Sequence, residues 1–172
     1  MKISNQWFTL IELLIVITIS FILMTLTFAN YNYYQNVAKV KLGAKEVSQS
    51  ISESRNAAIA GLQKDGINQK VGVYFEQGKS DILYYNFAHN SGAVIASIYL
   101  MKQEKLPDGV SITSSGTFIV FSSVFGTGGI YDISWNLLSE KDAVIELTYK
   151  NATSSNLKRQ VKYNSVTNTI DY

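Results

Sequence analysis

The chain contains no cysteine, and it has one proline and one histidine among its 172 residues. Without cysteine, disulfide bonds, zinc–thiolate sites and thiol catalysis are excluded. A Ser-His-Asp triad would have to use His89, which stands in a loop-like stretch, Ala-His-Asn-Ser-Gly. The sequence also has no nucleophile elbow, no His-x-x-x-His pair and no carboxylates at metal-ligand spacing. We therefore expect no enzymatic activity, no catalytic residue, no cofactor and no metal site.

Charges are few and nearly balanced. Lysine and arginine number 15 against 13 aspartate and glutamate, a formal net charge of +2, so no overall field attracts nucleic acid. From residue 150 onward one acidic residue, Asp171, accompanies four cations, Lys150, Lys158, Arg159 and Lys162. Because cations contact phosphates and neighbouring tyrosines can stack on bases, Lys158, Arg159 and Lys162 are candidate nucleic-acid contacts. We favour the alternative of a solvated strand face whose lysines oppose edge-to-edge aggregation.

One long apolar run stands out: Phe8 to Ala29 contains a single charge, Glu12. About 20 apolar residues cross a hydrocarbon core of about 30 Å, so this segment is predicted to anchor the chain in a membrane. A secretory signal would be shorter, with small residues at a cleavage site behind it, whereas Asn30 and Tyr31 follow here. A carboxylate inside such a helix costs about 2.5 to 3.5 kcal/mol, so Glu12 is expected to have a partner that offsets the cost.

The helical pattern continues beyond the apolar run. Apolar residues recur at spacings of three, four or seven, at Val37, Val40, Ala44, Val47, Ile51, Ala58 and Leu62. This pattern predicts one helix from about Phe8 to about Gln63, ended by Gly66, with its first half in lipid and its second half amphipathic. Gly43 inside it is either a tolerated glycine or a point of bending or close packing. The tyrosines at the predicted membrane boundary are Tyr31, Tyr33 and Tyr34.

After Lys64 the pattern becomes one of short strands and turns. The predicted strands are Val71 to Glu76, Asp81 to Phe87, Val94 to Met101, Val110 to Thr113, Thr117 to Val124, Ile130 to Leu137, Ala143 to Tyr149, Lys158 to Tyr163 and Val166 to Ile170. Alternation in Ile130 to Leu137 indicates a half-buried sheet, and Pro107-Asp108-Gly109 indicates a turn. We expect an α+β fold in which one long N-terminal helix packs on an antiparallel β-sheet.

The segment Phe8 to Ile17, FTLIELLIVI, resembles the amino-terminal motif of type IV pilins and pseudopilins. In that family a peptidase removes a short leader before a phenylalanine, the phenylalanine is N-methylated, and a glutamate stands fifth in the mature chain. The resemblance implies cleavage between Trp7 and Phe8, methylation of Phe8 and an assembly role for Glu12. The family's leader usually ends in glycine, which suits a peptidase that grips extended backbone. With Trp7 in that place, either the peptidase accepts tryptophan, or the leader stays, or the position has been altered.

Later segments resemble the H-type pseudopilin and FimT-type minor pilin group: Ser54 to Ile59, SRNAAI; Leu106 to Val110, LPDGV; and the glycine-bearing Phe121 to Ile130. The resemblance implies a pilin-like fold and a structural subunit of a type IV pilus, type II secretion or competence filament. Its partners would be other pilin-like subunits, a prepilin peptidase, assembly machinery and the membrane. In the filament, Glu12 would pair with a neighbour's amino terminus. The alternative is that Glu12 snorkels to the headgroups.

These expectations divide the chain into four parts: a leader at 1–7, a transmembrane and filament-core helix at 8–29, an amphipathic helix at 30–64 and a β domain at 65–172. The resemblance implies a single-pass protein of the bacterial cytoplasmic membrane whose C-terminal domain lies outside the cytoplasm. Two alternatives stay open. One is a single-span protein that never polymerises and displays a ligand-binding β domain, and the other is a DNA-binding minor pilin of a DNA-uptake system.

Overall fold

The computed structural model describes residues 9–61, 63–64, 67–89, 95–114, 116–122, 126–132, 134, 137–150, 152 and 154–172. It contains one long helix, α1, Leu10–Ile59. Ten strands follow: β1 Gln63–Lys64, β2 Ile67–Phe75, β3 Asp81–His89, β4 Ile95–Lys105, β5 Val110–Ile112, β6 Thr117–Phe121, β7 Gly128–Tyr131, β8 Asp142–Tyr149, β9 Lys158–Asn164 and β10 Thr169–Asp171, with a short 3-10 helix at Ser155–Leu157. The α+β class and the long N-terminal helix are confirmed.

Helix α1 ends earlier than the sequence pattern indicates. Gly61 adopts a φ of +69°, and its N–H donates to the carbonyl of Ala58 at 3.1 Å. A left-handed residue just beyond the last turn is the usual helix terminator, and glycine adopts it without steric cost. The prediction that the helix continues to Gln63 and is ended by Gly66 is therefore wrong.

The chain divides into two compact units, with the boundary between Asn36 and Val37. In the first unit, every described side chain from Thr9 to Phe28 is exposed. The second unit combines the later part of α1 with all ten strands.

The strands form two antiparallel sheets where the sequence predicted one. The first has the order β4-β3-β2-β6-β7, with β1 paired to the start of β2, and the second has the order β10-β9-β8-β5. Hairpins connect β2 with β3, β3 with β4, β6 with β7, β8 with β9 and β9 with β10. Strand β5 pairs with β8 rather than with a strand adjacent to it in sequence. The division follows from this non-local pairing, which periodicity does not encode.

One apolar core joins the helix to both sheets. The helical stripe is confirmed at Val40, Ala44, Val47, Ile51 and Ala58, whose side chains are 0 or 1% exposed. Both sheets contribute to the same cluster, the first with Val73, Phe75, Ile119 and Phe121 and the second with Ile112, Ile145, Leu147, Val161 and Tyr163. Full burial stabilises each aliphatic side chain by about 1.5 to 3 kcal/mol relative to exposure. This core holds the second unit together.

The first sheet is also buried on its other face. Tyr74, Phe87, Phe118 and Val120 form a second cluster, in which the rings of Tyr74 and Phe118 stack with centroids 4.0 Å apart. All five residues of β6 are buried. Alternation of buried and exposed residues therefore does not describe β6, nor the neighbouring part of β2 from Val71 to Phe75, which is also buried throughout.

Gly43 is a point of close packing. A Cβ on Gly43 would lie 3.2 Å from Val110 Cγ1 and 3.6 Å from Pro107 Cδ. The predicted Pro-Asp-Gly turn is confirmed, because the Val110 N–H donates to the Pro107 carbonyl at 2.9 Å and Gly109 has a φ of +86°. The turn thus packs against the helix where no side chain intervenes.

Two predicted strands begin or end elsewhere because short polar side chains form turns. The strand predicted from Ile130 stops at Tyr131, and Asp132 Oδ1 accepts the Ser134 N–H at 2.8 Å. The strand predicted from Val166 starts at Thr169, since Asn164 Oδ1 accepts the N–H groups of Val166 and Thr167. Such Asx turns compete with the ladder. The predicted strand positions Ile133, Trp135 and Asn136 lie outside the described residues.

Candidate functional site

The start of α1 is organised by Thr9 and Glu12. The Thr9 N–H donates to Glu12 Oε2 at 2.8 Å, and the Thr9 hydroxyl donates to the same oxygen at 2.7 Å. The Glu12 N–H in turn lies 3.3 Å from Thr9 Oγ1. This reciprocal arrangement is a capping box, in which two backbone N–H groups of the first turn find side-chain acceptors. The carboxylate also lies where the helix dipole favours negative charge.

The capping box uses only part of the Glu12 carboxylate. Within the described part of the chain, hydrogen bonds reach Oε2 and none reaches Oε1. Glu12 is exposed, so Oε1 is open to a donor from outside this chain. The sequence had indicated that Glu12 needs a partner, and Thr9 is a partner that the spacing Thr-x-x-Glu could have identified.

The rest of this helix segment is an apolar surface without cover. Fourteen large apolar side chains between Leu10 and Phe28 are each 50 to 82% exposed. Among the described residues, α1 is the one helix long and apolar enough to cross a membrane, and its apolar window is not buried within the protein. A helix that is apolar all round belongs in lipid or among other apolar helices.

The three threonine hydroxyls between Leu10 and Phe28 are satisfied within the helix. The hydroxyls of Thr18, Thr25 and Thr27 donate to the carbonyls of Leu14, Ile22 and Leu23, each at 2.8 Å. A hydroxyl that bonds to its own helix carries little desolvation cost in an apolar medium. The three threonines are therefore compatible with a lipid or filament-core environment.

The three tyrosines beyond the apolar run are solvent-accessible. Tyr31, Tyr33 and Tyr34 are 56, 38 and 68% exposed, and the rings of Tyr33 and Tyr34 meet edge to face with centroids 5.8 Å apart. Amphipathic rings of this kind prefer a boundary between apolar and aqueous surroundings.

The candidate nucleic-acid contacts do not share one surface. Lys158 and Lys162 occupy exposed positions of β9, whereas Arg159 alternates with them and is half-buried. Lys162 Nζ lies 2.9 Å from Asp142 Oδ2, and this lysine lowers the pKa of the Asp142 carboxyl. The exposed face of β9 therefore includes neutralised as well as free positive charge.

The other predicted positions are Trp7, Phe8 and His89. Trp7 and Phe8 lie outside the described residues. His89 is the last residue of β3, and nothing about its side chain is described. Among the residues that the structure describes, no group of three or more histidine, cysteine, aspartate or glutamate side chains is placed to hold a metal ion.

A polar cluster that sequence patterns did not identify joins the helix to strand β4. Tyr84 Oη donates to Glu104 Oε2 at 2.5 Å. Lys102 Nζ lies 2.5 Å from Glu104 Oε1 and 3.7 Å from Glu53 Oε2. Burial, followed by the hydrogen bond to Glu104, raises the pKa of the Tyr84 hydroxyl above its usual range. The cluster is structural, and its only sequence signal is that Lys102 and Glu104 stand two apart in a strand.

No family model, curated protein or solved structure matches the chain. The functional proposal therefore depends on the exposed apolar helix, the carboxylate at its start and the compact second unit that contains the strands.

Proposed function

We propose that this protein is a non-enzymatic type IV pilin-like subunit, a minor pilin or pseudopilin of a type IV pilus, type II secretion or competence filament. It inserts into the bacterial cytoplasmic membrane through the first part of α1 and is later extracted into a filament whose core consists of such helices. The observation that carries this proposal is the exposed apolar helix, Leu10 to Phe28, with Glu12 in its first turn. The motif FTLIELLIVI supplies the family resemblance.

The energetics of the helix support a subunit that changes surroundings without entering water. Exposure of fourteen large apolar side chains to water would cost about 20 to 40 kcal/mol, at about 1.5 to 3 kcal/mol each. Lipid tails and neighbouring apolar helices both remove this cost, because both are about as apolar as a leucine side chain. Movement from bilayer to filament core therefore exchanges one apolar partner for another.

Glu12 favours the filament over the bilayer and fixes the position of each helix relative to its neighbour. With Oε2 held by Thr9, Oε1 can accept a hydrogen bond from the amino terminus of a neighbouring subunit. A buried ammonium and a buried carboxylate stabilise each other, whereas loss of either one leaves an uncompensated charge. The capping box keeps the carboxylate oriented before the neighbour arrives.

Cysteine crosslinking tests assembly directly, because the chain has no native cysteine. Leu14→Cys places one thiol in the apolar segment, where Leu14 is 55% exposed. In cells that contain the assembly machinery, oxidation should produce disulfide-linked dimers, because one thiol per subunit can form one disulfide bond. Val166→Cys, in the exposed turn before β10, is the matched control and should crosslink less. A non-polymerising single-span protein would leave Leu14→Cys monomeric.

Orientation requires its own measurement. Three lysines, Lys39, Lys41 and Lys45, follow the apolar run, and one, Lys2, precedes it. Cytoplasmic flanks are usually the more basic ones, so the charge rule favours the opposite orientation from the pilin-like one proposed. Protease added to spheroplasts should degrade the β domain if it lies outside the cytoplasm, and protection would place it inside.

DNA binding is the weaker alternative. Lys158 and Lys162 are the exposed cations of β9, and Lys162 already pairs with Asp142. A gel shift at low salt that disappears in a Lys158/Arg159/Lys162 alanine variant would favour a subunit of a DNA-uptake filament.

A further inference from the structure

Arg55, near the end of α1, is a half-buried cation for which the described residues supply no counter-charge. Its Nε atom is buried and has no hydrogen-bond partner, and the described ion pairs involve only Lys102 and Lys162. The helix residues three and four positions away, where an acid could pair with it, are Ile51, Ser52, Ala58 and Ile59. Arginine is rarely buried unless it is paired, so the absence of an acid beside this guanidinium requires a physical explanation.

The turn between β6 and β7 packs against Arg55. Gly126 has a φ of +60°, and its N–H donates to the Ser122 carbonyl at 3.0 Å. A Cβ on Gly126 would lie 3.4 Å from Arg55 Nε and 2.7 Å from Ile59 Cδ1. The turn backbone therefore covers Nε and brings the arginine and the isoleucine together at one place on the surface of the second unit.

Tyr163, on β9, lies close enough to Arg55 to respond to its charge. Burial raises the pKa of the Tyr163 hydroxyl to about 12, and the positive charge of Arg55 opposes that rise. The hydroxyl donates to Asn168 Oδ1 at 2.9 Å, and the Gly128 backbone packs directly against it. No hydrogen bond joins Tyr163 to Arg55 within the described part of the chain, so this neutral neighbour leaves the guanidinium charge uncompensated.

The chemistry of the two side chains defines what they can bind. An arginine has five N–H donors in a planar fork, four of them beyond Nε. This fork matches a carboxylate in a bidentate way that a lysine cannot reproduce. Ile59, one turn further along the helix, is 51% exposed, so an apolar group next to the carboxylate can cover it.

We propose that Arg55 and Ile59 form a docking site for another protein chain, which presents an acidic side chain to the arginine and an apolar side chain to the isoleucine. A single arginine–carboxylate pair at a partly exposed site gives a dissociation constant of only about 10 to 100 mM. That affinity is too low to hold a free small carboxylate, whereas the same pair within a protein interface fixes the orientation of the partner. The inference concerns the second compact unit alone and does not depend on membrane insertion or on the filament.

The two arginines of the chain, Arg55 and Arg159, allow a test with an internal control. Arg159 is half-buried, and its Nη1 donates to the Lys158 carbonyl at 2.9 Å. The full-length protein, labelled with isotopic arginine and held in a non-ionic detergent, should give two Nε–H resonances in an NMR spectrum. Arg55→Lys removes one of them and so assigns both.

Sodium acetate, added at constant ionic strength, is the first probe. It should shift the Arg55 resonance with a dissociation constant of about 10 to 100 mM and leave the Arg159 resonance in place. Acetamide, its neutral analogue, should shift neither. Equal shifts of both resonances by acetate would indicate a general salt effect and overturn the inference, and so would inorganic phosphate that binds Arg55 more tightly than acetate.

Hexanoate tests the apolar part of the site. Its methylene groups can lie on Ile59, so it should bind about three to ten times more tightly than acetate. Ile59→Ser should abolish this gain and leave the affinity for acetate unchanged. An equal gain in Ile59→Ser would exclude the isoleucine from the site.

Blocked tripeptides test whether the carboxylate belongs to a protein. N-acetyl-Leu-Asp-Leu-amide should shift the Arg55 resonance, whereas N-acetyl-Leu-Asn-Leu-amide, which lacks the charge, should not. Failure of the aspartate peptide under conditions where acetate binds would contradict a protein partner. Hexanoate with a dissociation constant below about 0.1 mM would instead indicate a site for a free small molecule and overturn the inference.

Discussion

Thr9 and Glu12 form a reciprocal pair at the first turn of α1, with the Thr9 N–H and hydroxyl both donating to Glu12 Oε2 at 2.8 and 2.7 Å. The pair explains how a carboxylate is tolerated at the start of an apolar helix. It also separates the observed role of Glu12, which caps its own helix, from the proposed role, which is to offer a negative charge to a neighbouring subunit.

Glu12→Gln tests the charge without removing the cap. Glutamine can replace glutamate at this position of a capping box, so the variant should insert into membranes normally. Loss of one partner of a buried ion pair costs about 3 to 5 kcal/mol, and filament yield should therefore fall about a hundredfold or more. Sheared-filament yield measures this, with Thr9→Ser, which keeps the hydroxyl, as the control. Assembly of Glu12→Gln at the wild-type level would exclude charge pairing.

The leader can be tested by intact mass. If the resemblance holds, protein extracted from membranes should lack Met1 to Trp7 and carry one methyl group on Phe8. Trp7→Gly should raise the cleaved fraction, because glycine removes the side chain that obstructs a peptidase on extended backbone. A mass that includes Met1 to Trp7 in both the wild type and Trp7→Gly would contradict pilin-like processing.

Gly72 is predicted to be intolerant of any side chain. A Cβ there would lie 2.7 Å from Phe87 Cε2 and 3.0 Å from the Ile119 carbonyl oxygen, and the backbone atom cannot yield easily. Gly72→Ala should lower the free energy of unfolding by about 1 to 3 kcal/mol. Urea denaturation of a fragment from Val37, which contains the described core, measures it. Gly43→Ala is the control. Crowding against Val110 lowers the free energy of unfolding, whereas the higher helix propensity of alanine raises it by about 1 kcal/mol. The net change should therefore be smaller than that of Gly72→Ala.

Tyr163 should make the domain sensitive to alkaline pH. Burial raises the pKa of its hydroxyl to about 12, against about 10 in an unfolded chain. Below pH 10 both states are protonated and stability is intact, whereas between pH 10 and 12 the unfolded state ionises first. Tyr163 alone should therefore lower the free energy of unfolding by roughly 2 to 3 kcal/mol across that window.

Tyr163→Phe provides the control for that decrease. It removes the hydroxyl that donates to Asn168 Oδ1 at 2.9 Å, which costs about 0.5 to 1.5 kcal/mol at every pH. The alkaline decrease should nevertheless become smaller, and the remainder is attributed to Tyr84 and Tyr74, whose pKa values burial also raises. An unchanged decrease in Tyr163→Phe would rule Tyr163 out as its source.

Sequence periodicity predicted the helix well because helical contacts are local. The stripe from Val40 to Ala58 needs only a spacing of three and four to be recognised, and Glu12 stands out as the one charge in an apolar run. The same reasoning missed the helix end, because Gly61 and Gly66 are both candidate terminators in the sequence. The φ of +69° at Gly61 identifies it as the residue that ends the helix.

Strand partners and shared surfaces depended on tertiary structure. Composition and alternation established that an anchor-like helix precedes a β-rich domain, because burial and propensity act on each segment separately. Contacts between residues distant in sequence decided three features. Strand β5 pairs with β8, and Lys158 and Arg159 lie on different sides of β9. Lys39 and Lys150 both contact the ring of Tyr149. Such contacts follow from how the whole core packs, and no local pattern specifies them.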